Sequence, residues 1–112
     1  MNQERLNKLF AFLEEEPNDP FLIYAIANEY LESKPTEAKK YYDRLLFEHE
    51  NYTGTYYHAA QLYLDLGDKE KAESIYKKGL LICQKENDRH ALAELQRAYN
   101  EFLYEDEEED EW

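Results

Sequence analysis

A chain of 112 residues builds a sizeable hydrophobic core only if nearly all of it joins one packed unit. With 35% charged and 43% hydrophobic residues and only three glycines and three prolines, the composition favours helices joined by short turns and argues against a sandwich or barrel. The net charge of -13 repels phosphate backbones and anionic lipid, which are bound through Lys and Arg, so neither nucleic acid nor membrane is expected as a direct partner.

No stretch approaches the roughly 18 consecutive apolar residues that span a bilayer, and Met1 to Lys8 lacks the basic-then-apolar layout of a signal peptide. The lone Cys83 forms no internal disulfide, which is compatible with a reducing compartment. A soluble, cytoplasmic protein is expected.

In chain order, apolar spacing of three and four predicts helices over about 3–15, 19–32, 36–49, 53–66, 68–84 and 88–103. The opening helix carries Leu9, Phe12 and Leu13 and is followed by Pro17. Asp19 is suited to cap the second helix, with Pro20 as its first residue. The third starts within Lys34-Pro35-Thr36, where no capping side chain is assignable. Thr53 is a cap candidate for the fourth helix, Gly67 for its end, and Asp68 and Asp88 for the starts of the fifth and sixth. Residues 1–104 are expected to form a single domain. Beyond it, Glu105 to Glu111 is seven acids without a base, leaving -6 for the rest. Self-repulsion predicts that 105–112 is an acidic disordered tail.

Sliding the sequence along itself exposes a repeat. At a shift of 33, Ile23, Tyr24, Ile26, Ala27, Tyr30 and Leu31 fall on Tyr56, Tyr57, Ala59, Ala60, Tyr63 and Leu64. At a shift of 34, Ala38, Tyr41, Tyr42 and Leu46 fall on Ala72, Ile75, Tyr76 and Leu80. The step from 33 to 34 lies in the turn, where Glu32 to Pro35 corresponds to the one-residue-longer Asp65 to Lys69. The unit is therefore helix, short turn, helix.

The pattern Tyr56, Ala59, Ala60, Tyr63, Gly67, Ala72 and Tyr76 resembles the tetratricopeptide repeat: aromatic, small, small, aromatic, turn glycine, alanine and aromatic at that family's spacing. The first repeat departs at the turn, and Leu45 and Gly79 occupy a site where the family prefers alanine. Leu9, Phe12 and Leu13 lie 33 residues before Tyr42, Leu45 and Leu46, and Leu92, Leu95, Gln96 and Tyr99 lie 36 after Tyr56, Ala59, Ala60 and Tyr63. Two full repeats flanked by two half-repeat helices follow, over residues 3 to 103. Polar Gln96, in place of the small alanine, suits a capping helix at a repeat array's end. The resemblance implies a small stand-alone, all-α, TPR-like α-solenoid of about six antiparallel helices.

It also implies a protein-interaction module whose first helices line a concave, peptide-binding groove. Tyr30, Tyr42, Tyr63 and Tyr76 are packing residues by periodicity, whereas Tyr24 and Tyr57 lie about 100° off that stripe. Asn28 and Gln61 follow one turn on along the same face, and His58 and Arg97 border it. Rings and amides there suit stacking and hydrogen bonding to a peptide; an ordinary solvated helix face is the other reading. The family's carboxylate clamp is built of lysine, asparagine and arginine, and here only Asn28 matches. Tyr24, His58, His90 and Glu94 stand at its other positions, so binding of acidic chaperone tails is not expected. Trp112, a large apolar group after seven acids, is a candidate anchor for a partner; solubility is the plainer role of the tail.

Chemistry beyond binding has little support. His49, His58 and His90 are scattered, with no pair at helical ligand spacing. Cys83 lacks a neighbouring histidine in sequence and reads as a core residue. No glycine-rich phosphate loop or serine-nucleophile motif is present, so neither catalysis nor a cofactor or metal is expected. The expected function is a scaffold binding a protein or peptide segment, as a monomer or weak homo-oligomer. The alternative is a structural subunit that self-associates or assembles into a complex without using a peptide groove.

Overall fold

The computed structural model describes the backbone of residues 1–110 and the side chains of residues 1–105. Trp112 lies outside the described residues. Six helices form, with no strand among the described residues: α1 (Gln3–Glu15), α2 (Pro20–Tyr30), α3 (Pro35–Glu48), α4 (Thr55–Asp65), α5 (Lys69–Lys85) and α6 (Arg89–Asp110). Boundaries agree with the sequence to within two residues, except that α6 runs to Asp110 where spacing predicts an end near 103. Core periodicity stops at Phe102, but Glu and Asp bring no helix breaker, so the hydrogen-bonded backbone continues. Contacts divide the chain into two compact units, the first Met1–Thr55 and the second beginning at Tyr56. The sequence expectation is one domain over 1–104; in a repeat chain most contacts join helices adjacent in sequence, which favours such a grouping.

In the first unit, α1 packs on α2 and α2 on α3. Asn2 caps α1 by accepting from the Arg5 amide at 2.9 Å, and Asp19 caps α2 by accepting from the Phe21 amide at 2.9 Å, with Pro20 as the first helical residue. Helix α3 starts at Pro35 with Lys34 before it and no side-chain cap. The core holds Leu6, Ile23, Ile26, Ala27, Ala38, Tyr42 and Leu45. Its edges are tied by polar groups. Arg5 bridges α1 to Glu29 of α2 at 2.7 Å, the Asn2 amide adds a second donor at 3.3 Å, and the Tyr42 hydroxyl donates to Asn28 Oδ1. In α1 the buried side chain is Leu6, while Phe12 is 55% exposed although its repeat counterpart Leu45 is buried. The packing contacts described for α1 lie on one neighbour, α2, so a full-width apolar stripe is not covered. Tyr30 is only half-buried, stacking on Tyr41 at 6.0 Å.

In the second unit, two helix ends use one device. The Gly67 amide bonds to Leu64 O and the Asp68 amide to Tyr63 O; the Asn87 amide bonds to Gln84 O and the Asp88 amide to Cys83 O. Gly67 (φ 86) and Asn87 (φ 57) take the left-handed conformation that such a terminus needs. Each is followed by an aspartate that starts the next helix: Asp68 accepts from the Lys71 amide and Asp88 from the Ala91 amide, both at 3.1 Å. Gly79 is buried on α5, and a Cβ there would lie 2.6 Å from both the Tyr56 Cβ and a Leu95 methyl. The family's preferred alanine has no room because Tyr56 of α4 and Leu95 of α6 fill it. Tyr76, Tyr99 and Phe102 cluster with ring centroids 5.5 to 6.1 Å apart, and the Tyr99 hydroxyl donates to Glu73 at 3.0 Å. Burial raises the ionisation of Tyr76 and Tyr99 above the phenol's usual range, and the Glu73 carboxylate adds to the effect on Tyr99.

Candidate functional site

Within the first unit, Tyr24 sits on α2 half-buried, off the fully buried Ile23 and Ile26 stripe. Its ring meets Tyr52 at 5.5 Å, and Gly54 passes close enough that an added Cβ would lie 3.7 Å from the Tyr24 ring. The far end of the tyrosine ring therefore rests against the segment leading to Thr55. Asn28, one turn on, gives its carbonyl oxygen to Tyr42. This bond fixes the amide's orientation, and burial pushes the Tyr42 phenol well above its usual range, keeping it a neutral donor.

Within the second unit, Tyr57 and His58 of α4 form an edge-to-face pair at 5.3 Å. Both are half-buried. Burial lowers the His58 pKa from 6.5, with Glu94 of α6 opposing, so a neutral imidazole is favoured at neutral pH. Gln61 is exposed and donates to Asp65 at 3.2 Å. Arg97 is exposed on α6 and lines an open hollow of about 590 Å³ with Ala93, Gln96, Asn100 and Tyr104. Gln96, the polar replacement for the repeat's small residue, is exposed and donates to Asn100 at 3.0 Å.

The structure thus brings Tyr24 and Asn28 onto one face of α2, Tyr57 beside His58 on α4, and Arg97 into the α6 hollow. Sequence reading missed two residues. Tyr52 lies in a loop, where helical spacing gives no signal, and it props Tyr24. Tyr104, 63% exposed, continues the series Ala93, Arg97, Asn100 at intervals of four, three and four; that spacing was available, but the expected end of the helix at 103 concealed it.

Among the described residues no cluster of three His, Cys, Asp or Glu is arranged to hold a metal ion, and no helix is long and apolar enough to cross a membrane. Cys83 is buried, its thiol pushed up by burial and by Asp88, which disfavours the nucleophilic thiolate.

The sequence model of the tetratricopeptide repeat matches residues 53–86, the span of the second full repeat. No curated protein matches the chain. Among solved structures it is similar to the crystal structure of a tetratricopeptide repeat domain protein from Salinibacter ruber, with 32% identity, a TM-score of 0.73, and coverage of 76% of this chain and 96% of that one. The solution structure of a tetratricopeptide repeat domain protein from the same organism gives 33% identity, a TM-score of 0.72, and coverage of 77% and 88%. With this identity over nearly the whole of those domains, and the repeat's aromatic, small and turn positions filled as described, the chain belongs to the tetratricopeptide repeat family.

Proposed function

We propose that the protein is an interaction module that holds a segment of another protein against the exposed faces of its first helices, using Tyr24 and Asn28 in the first unit and Tyr57, His58, Gln61 and Arg97 in the second. Membership of the tetratricopeptide family supports protein binding as the general role. The observation that carries the finer reading is that each unit presents a half-buried tyrosine braced by a second ring, Tyr24 by Tyr52 and Tyr57 by His58. An aromatic held in place loses little conformational freedom on contact, so its buried area converts efficiently into affinity.

The acidic surface and the missing basic clamp set the partner's character. Glu94 stands where a clamp would need a cation, so acidic C-terminal peptides are repelled and the protein is not a carboxylate-clamp cochaperone. Catalysis has no supporting constellation, and the proposed setting is cytoplasmic. Affinity capture from the native cell, repeated with Tyr24→Ala/Tyr57→Ala, tests the site: loss of the captured partner supports it, and unchanged capture sinks it.

A second reading is favoured by exposed apolar groups elsewhere. Phe47 on α3 is 87% exposed and Leu81 on α5 66%, which suits self-association or assembly into a complex. Analytical ultracentrifugation separates the two readings, since assembly through these groups gives an oligomer that grows with concentration, whereas the peptide-binding reading gives a monomer or weak dimer.

A further inference from the structure

The outward stripe of α6 combines shape and charge in a way that points to one kind of occupant. Ala93, Arg97, Asn100 and Tyr104 lie on the side of the helix opposite the buried Leu95 and Phe102. Together with Gln96 they line the open hollow of about 590 Å³. The Tyr104 ring and the Ala93 methyl give it an apolar floor. Glu101 and Glu105 flank it, both exposed. Arg97 is the sole base between 93 and 111, against nine acids in the same span.

We propose that this stripe docks a cationic amphipathic helix of a partner protein. Apolar anchors at helical spacing enter the hollow against Tyr104 and Ala93, while lysines or arginines beside them meet Glu101 and Glu105. Charge selects this occupant. A second copy of the chain brings a net -13 of its own, and an acidic peptide meets the same repulsion. The ligand class rests on the protein-binding reading above and deepens it, since Ala93 and Arg97 lie 36 residues after Tyr57 and Gln61 and continue the same first-helix face.

The test is fluorescence anisotropy with the full chain and a fluorescein-labelled leucine–lysine peptide of amphipathic helical spacing, beside a scrambled peptide of the same composition and a leucine–glutamate counterpart. The amphipathic cationic peptide is expected to bind, the scrambled one about tenfold more weakly, and the anionic one not at all. Ala93→Arg and Tyr104→Ala alter exposed positions and leave the acids in place; each is expected to weaken binding about tenfold at unchanged helix content by circular dichroism. Equal binding of the scrambled peptide, or no effect of Ala93→Arg, overturns the proposal, because the acids alone are then attracting cations. A dimer in sedimentation that Ala93→Arg dissolves also overturns it, by assigning the stripe to a second copy. If native-partner capture is lost in Tyr24→Ala/Tyr57→Ala while Ala93→Arg leaves peptide binding intact, this proposal falls and the general reading stands. The converse pattern retains the α6 site and removes the other.

Discussion

Leu45 in the first unit and Gly79 in the second occupy the same repeat position, and both are buried. In the first unit the branched side chain itself fills the space behind the second helix of the pair. In the second, Tyr56 and Leu95 reach into that space, and the helix contributes only backbone. The turns differ in parallel. The first unit passes from α2 to α3 through Lys34 and Pro35 without a side-chain cap, whereas the second closes α4 with left-handed Gly67 and opens α5 with Asp68. The first unit ties its helix edges with Arg5–Glu29 and Tyr42–Asn28, and the second stacks Tyr76, Tyr99 and Phe102. One repeat scheme therefore tolerates a filled or a ceded position, provided that the volume is supplied by a neighbour.

The largest expected effect is at Leu45. Leu45→Ala leaves a cavity in a fully buried site and should cost about 3 kcal/mol, read by urea denaturation as a lower midpoint. At the matching position the opposite change is harmful. Gly79→Ala gains up to about 1 kcal/mol of helix propensity but drives a methyl into the stem of Tyr56, a clash of about 1–3 kcal/mol. The rigid Cβ and Cγ of Tyr56, 2.6 and 2.8 Å away, decide the sign, so a net loss of about 1–2 kcal/mol is expected. Equal or greater stability would show that the helices separate freely and that the comparison is wrong.

Smaller effects sharpen the contrast of turns and edges. Gly67→Ala meets no atom within 4 Å, so its expected cost of about 1 kcal/mol comes entirely from the positive φ, and Gly67→Asn should recover part of it, as Asn87 does at the end of α5. The smallest effect is electrostatic. Arg5 and the Asn2 amide lower the Glu29 pKa from 4.5. A depressed carboxylate contributes stability above its unfolded pKa and loses it as pH falls through the folded one. Glu29→Gln should therefore cost under about 1 kcal/mol at neutral pH, since Arg5 is exposed, and nothing at pH low enough to protonate Glu29. A cost that persists unchanged into acid would assign the residue to packing instead.

Most of the fold was legible because two periodicities coincide, helical spacing within each helix and the 33- to 34-residue shift between repeats. Proline and aspartate at Pro20, Asp19, Asp68 and Asp88 punctuate it in ways that local chemistry explains. Other features were hidden for physical reasons. Gly79 reads as a divergent residue until Tyr56 is seen pressing on it, because close approach depends on neighbours distant in sequence. The bracing of Tyr24 by Tyr52 depends on a loop, which has no period. Tyr104 was obscured by reading the start of the acidic run as the end of the helix, although charge alone does not break helical hydrogen bonds.

In the proposed function, binding uses the first-helix faces and not the outer surfaces of α3 and α5. The most direct measurement is an amide chemical-shift titration of the isotopically labelled chain with its captured partner. The largest shifts are expected at Tyr24, Asn28, Tyr57, Gln61 and Arg97, with Phe47 and Leu81 unmoved. Shifts confined to Phe47, Leu81 and their neighbours would contradict it.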